Sequence, residues 1–87
     1  MSNEANKTFL RKLTEAKLRE AAKSSLDRNK DMDDFFLGHV LLEQIANRSK
    51  NYRQSLIDGK NKLGLSEDEI NQIVDDATEA IIAEFIS

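Results

Sequence analysis

Apolar residues along this 87-residue chain recur at helical spacing, and no segment shows the alternation of a strand. The longest pattern runs from Asp31 to about Leu63. Phe35, Gly38, Leu42, Ile45, Ser49, Tyr52, Leu56, Gly59 and Leu63 follow one another at alternating intervals of three and four, a seam of the coiled-coil kind. The small residues Gly38, Ser49 and Gly59 on that seam would let another helix approach closely. A helix of about thirty residues spans roughly 45 Å at 1.5 Å per residue. Residues 35–46 are apolar on most sides, whereas beyond Asn47 little but the seam and Ile57 remains. The first half should lie inside the structure and the second half on its flank.

The C-terminal segment reads most clearly. Leu63-Gly64-Leu65 forms a glycine stop, and Ser66-Glu67-Asp68-Glu69 fits a capping box, in which Ser66 and Glu69 each satisfy a backbone N–H of the other. Ile70, Ile73, Val74, Ala77, Ile81 and Phe85 then share one helical face. Ile82 and Ile86 fall on the otherwise polar side, so the end of this helix is apolar nearly all round.

In the N-terminal third the pattern changes phase. Phe9, Leu10, Leu13 and Ala16 centre on one direction, and Leu18, Ala21, Ala22, Ser25 and Leu26 on nearly the opposite one. This predicts a break near Leu13-Thr14, with Thr14 capping a helix over about 15–28 and residues 5–13 forming a short arm or separate helix. The alternative is one bent helix serving two partners. The expected fold is therefore all-α: a single-domain helical bundle with one long central helix over about 32–62, an N-terminal helix, and a C-terminal helix over about 67–85. Short connections favour antiparallel neighbours.

Composition adds little chemistry. There is no cysteine, which excludes disulfides and thiolate metal sites, and a single His. "FFLGHVLL" is far short of the ~20 residues that cross a bilayer, and the first nine residues carry no apolar signal core. A soluble protein of a reducing cytoplasm is expected, so the sequons at Asn6 and Asn47 are chance matches. The net charge of −3 hides alternating blocks: residues 1–30 carry +4, 31–43 carry −4, 44–63 carry +4 and 64–87 carry −7. Opposite blocks could help antiparallel neighbours choose one another.

"DRNKDMDDFF" places Asp27, Asn29 and Asp31 at the first, third and fifth positions of a would-be calcium loop. Such a loop needs glycine sixth, an apolar residue eighth and a bidentate Glu twelfth, where this chain has Met32, Asp34 and Gly38. The stretch reads instead as a helix boundary, with Asp31 as N-cap and Asp33 and Asp34 in the first turn. No metal or cofactor is implied. His39 joins Glu43, Asn47, Lys50 and Gln54 in a solvated stripe. No spacing recommends a catalytic set, so an enzyme is not expected.

"KNKLGLSEDEINQIV" has the outline of the turn and second helix of a helix-turn-helix, but its Glu67-Asp68-Glu69 start would be repelled by DNA phosphates. The basic residues Arg48, Lys50, Arg53, Lys60 and Lys62 could contact nucleic acid, although they spread around the helix. The leading expectation comes from surplus apolar surface in the region from Phe35 to Ala46 and at Ile82 and Ile86, with Phe36, Leu37, Val40, Leu41, Ile82 and Ile86 as the expected contacts, unless the N-terminal arm folds over Ile82 and Ile86 and closes a compact monomer. That surface predicts a homodimer or a contact with another protein, and a non-enzymatic inhibitor, adaptor or regulator of the small kind that bacteria and phages encode. A nucleic-acid-associated regulator using residues 48–62 is the alternative.

Overall fold

Three helices follow one another in the computed structural model, which describes residues 2–59 and 64–86: α1 (Ser2–Arg28), α2 (Asp34–Asp58) and α3 (Glu67–Ile86). Each packs against both of the others. No strand occurs among the described residues. The all-α bundle agrees with the sequence pattern, but the longest helix is the first, at 27 residues, and not the central one, at 25.

The expected break at Leu13-Thr14 is absent. Helix α1 runs straight through it, and Thr14 is fully buried, its hydroxyl donating to the Leu10 carbonyl at 2.7 Å. A threonine in that position satisfies its own polar group within the helix and can enter a core. Once Thr14 is admitted as an inward position, Leu10, Thr14, Leu18, Ala22 and Ser25 form one continuous buried stripe. Phe9 and Leu13, which created the apparent change of phase, point away from it and stay exposed. Residues 5–13 are thus no separate arm.

Two apolar clusters fill the interior. One joins Leu18 and Ala22 of α1, Leu41 and Ile45 of α2, and Ala77 and Ile81 of α3, with Leu26, Leu37, Ile82, Phe85 and Ile86 packed around it. The other joins Leu10 of α1 to Leu65, Ile70, Ile73 and Val74, with Tyr52 and Leu56 of α2 against it. The start of α1 therefore lies beside the start of α3, and α2 runs back between them: consecutive helices are antiparallel, and α1 is parallel to α3. Each fully buried Leu or Ile contributes about 1.5–3 kcal/mol through removal from water. Because α1 reaches along most of the 46 Å bundle, it covers α2 and α3 at both ends.

Hydroxyl groups stand between the clusters. Thr78 donates to the Val74 carbonyl at 2.6 Å, so the 2.7 Å contact between Ser49 and Thr78 has the Ser49 hydroxyl as donor. Burial pushes the Tyr52 phenol above its ordinary value of 10.0, which the Thr14 hydroxyl partly offsets.

Surface ion pairs join α3 to both of its neighbours. Lys7 meets Glu69 at 3.0 Å, and Arg19 holds Glu84 through two bonds of 2.9 and 3.0 Å, both linking the basic first helix to the acidic third. Arg53 of α2 pairs with Asp75 of α3. Solvent screens such exposed pairs, so they add little to stability. The opposite charge blocks do meet, and for α1 and α3 they meet between parallel helices.

The ends of the helices follow local chemistry. Helix α1 closes with Asn29, whose backbone and side-chain N–H groups both bond to the Ser25 carbonyl. The N-cap of α2 is Asp33, accepting from the Phe35 N–H at 3.0 Å, and not Asp31, which lies in the preceding turn. The Ser66–Glu69 capping box forms as expected, at 2.8 and 3.1 Å. Helix α2 ends at Asp58, before the expected position of about 62, and the Gly59 N–H bonds to the Ser55 carbonyl at its cap. Gly64 adopts the left-handed region at φ +72°; residues 60–63, including Lys60, Lys62 and Leu63, lie outside the described residues.

Candidate functional site

The sequence placed Phe35, Gly38 and Leu42 on the inward seam of the central helix. From Ile45 onward that seam holds: Ile45 and Ser49 are buried and Tyr52 and Leu56 pack on the second cluster. Before Ile45 it does not. The inward row there is Leu37, Leu41 and Ile45, spaced by four, and the Phe35–Leu42 row is turned toward solvent. A 3.5-residue repeat drifts around a 3.6-residue helix, so a straight α2 cannot keep all nine positions facing the same neighbours. Only one of the two apolar rows in residues 35–46 can enter the bundle.

What remains outside is a continuous apolar surface where α2 begins and α3 ends. Phe35 is 69% exposed, Phe36 60% and Leu42 43%. The Phe35 ring stands edge-on to Phe36 at 5.5 Å and to the His39 imidazole at 5.0 Å. Phe35, Gly38, His39, Leu42 and Ile86 line a shallow hollow of ≈ 210 Å³ whose walls are almost wholly apolar. Gly38 contributes no side chain to its floor, and a Cβ placed there would meet nothing within 4 Å. Close helix approach at Gly38 does not occur, whereas at Ser49 it is realised through the contact with Thr78.

Of the six residues expected at an interface, Phe36 lies on this surface and Ile86 at its edge. Leu41 is only 3% exposed and belongs to the core, so it has no area left to offer another chain. Leu37 and Ile82 are half-buried against the same cluster, and Val40 is half-buried. Cover for Ile82 and Ile86 comes from this cluster, not from residues 5–13, since Leu10 sits in the other one. The sequence pattern includes Phe35 and Leu42 in the surplus apolar region of residues 35–46 but does not single them out, or His39, as contacts. The available signal was that residues 35–46 carry two apolar rows on one helix with only two neighbours.

Of the five basic residues, Arg48, Lys50 and Arg53 lie within the described part of the chain. Arg48 and Lys50 are exposed, and Arg53 is tied to Asp75. His39, Glu43, Asn47, Lys50 and Gln54 form an exposed stripe as expected. A larger hollow of ≈ 500 Å³ lies along α1, lined by Ala16, Arg19, Glu20, Lys23, Ser24 and Asp27. Its charges alternate in sign and Arg19 is already held by Glu84, so no set of groups converges there. Among the described residues no group of three His, Cys, Asp or Glu side chains could hold a metal ion, and no helix is long and apolar enough to cross a membrane.

The chain matches no protein-family model, no curated protein and no solved structure.

Proposed function

We propose that the protein is a non-enzymatic, cytoplasmic protein–protein interaction module, an inhibitor, adaptor or regulator that works by seating the apolar surface of Phe35, Phe36, Leu42 and Ile86 on another polypeptide. The observation that carries this reading is the exposure of two adjacent phenylalanines on a regular helix whose bundle already has a filled core. Clustered aromatic surface of this kind marks contact sites, and aromatic anchors dominate the energetics of protein interfaces. A partner, whether another protein or a second copy of the chain, would remove from water what the fold leaves exposed. Enzymatic action has no comparable support, because the hollow is lined by one imidazole and otherwise by hydrocarbon and aromatic groups.

Photo-crosslinking in the cells that make the protein tests the reading. A benzoylphenylalanine placed at Phe36 or Leu42 should give a discrete higher-mass adduct, and one placed at the exposed polar position Asn51 should not. Equal yields at all three positions, or none at the first two, would remove it.

A further inference from the structure

Resting on the docking surface just described, we infer that its occupant is a cationic amphipathic helix, with an apolar ridge for the Phe35–Leu42–Ile86 hollow and Arg or Lys on its flanks. The charge around the hollow carries the inference. Within residues 27–47 stand five carboxylates, Asp27, Asp31, Asp33, Asp34 and Glu43, against two cations, Arg28 and Lys30, and all seven are exposed. Cations appear on α2 only from Arg48 onward, beyond the apolar surface. On the α3 side, Glu79 precedes Ile82 and Ile86 by three and seven residues on the same face, and it too is exposed. The last turn of α3 contains no Lys or Arg, and the cation that reaches it from α1, Arg19, is already held by Glu84.

Three kinds of occupant are disfavoured by this rim. Nucleic acid and an anionic bilayer would both bring phosphates toward carboxylates. A second copy docked by a two-fold axis would oppose the same patch to itself and bring the same acidic surroundings to both sides of the interface. A cationic helix meets none of these penalties. Its apolar ridge fits an apolar groove between helix ends, and its guanidinium or ammonium groups find both carboxylates and the exposed faces of Phe35 and Phe36, where a cation is attracted to the ring.

Two synthetic helical peptides with the same leucine ridge, one flanked by Arg and Lys and the other by Glu, separate the possibilities when titrated into the full ¹⁵N-labelled chain. The cationic peptide should shift the amides around Phe35, Phe36, His39, Leu42 and Ile86 and bind at least tenfold more tightly than the anionic one. That preference should shrink in high salt and in the D33N/D34N/E43Q variant, in which the asparagine replacing Asp33 still serves as an N-cap. If both peptides bind the patch equally, the charge assignment is wrong while the docking surface stands. If neither shifts the patch amides, both readings fall. If sedimentation shows a dimer that F36R dissociates, a second copy is the occupant and the cationic partner is overturned.

Discussion

Leu10→Ala is the substitution that most directly separates a three-helix bundle with a continuous first helix from a two-part N-terminus with a loose arm. Leu10 is 1% exposed and packs with Leu65, Ile70, Ile73 and Val74. Truncation removes three carbons, worth about 0.8 kcal/mol each in transfer, and leaves a cavity, for a combined cost of about 2–5 kcal/mol. The neighbouring Leu65 lies in a loop that can partly collapse into the space, which places the expected loss at about 2–4 kcal/mol. In a chain of this size each kcal/mol corresponds to about 4–8 °C, so Tm should fall by roughly 8–32 °C. The control is Phe9→Ala, one residue earlier: a larger side chain, but 56% exposed. Its loss should stay within about 0.5 kcal/mol, helped by the better helix propensity of alanine. Urea titrations followed by circular dichroism at 222 nm measure both. A Leu10→Ala loss below about 1 kcal/mol, or equal losses for the two variants, would show that residues 5–13 do not pack as described.

A similar contrast on α2 separates core from contact surface: Leu41→Ala should cost about 2–5 kcal/mol, and Phe36→Ser, at an exposed position, about 0.5 kcal/mol or less; comparable losses in thermal melts would contradict the placement of the two rows. Gly38→Ala has free space for its Cβ within a helix, so it should stabilise by about 0.5–1 kcal/mol, and a destabilisation would reveal a close neighbour at that site. The Glu69 carboxyl lies below its ordinary 4.5, first through the Ser66 backbone N–H and then through Lys7, and Glu84 is lowered mainly by its hydrogen bonds from Arg19. Lowered folded-state values mean that this stabilisation is present above pH 4.5 and lost as the pH falls through the folded values. Stability profiles between pH 6 and 2 should therefore be shallower for E69Q/E84Q than for the parent, and parallel profiles would refute the linkage.

How far the sequence could be read depended on whether a residue's own chemistry decided its place. The Ser66–Glu69 box and the inward face of α3 were legible because both are local: the cap needs only two side chains three residues apart, and the Ile70–Ile81 face has one period and no rival. The first helix departs from its sequence pattern at Thr14, where a polar side chain predicts a boundary and the helix continues. A threonine can instead return its hydroxyl to the helix and be buried, and nothing in the adjacent residues distinguishes the two outcomes. The N-cap of α2 moved from Asp31 to Asp33 for a related reason, since any of three nearby aspartates can cap.

The candidate surface depended on packing. By itself the sequence determined an all-helical chain, the extent and inward face of the last helix and an excess of apolar side chains in residues 35–46, because helix propensity, spacing and capping act over a few residues. Only the tertiary structure decided that α1 is continuous, that Leu37, Leu41 and Ile45 face inward, and that Phe35, Phe36 and Leu42 face out. A helix with two apolar rows has two nearly equivalent ways to face a core, and the choice belongs to the neighbours that fill one side, here α1 and α3 arriving from distant parts of the chain.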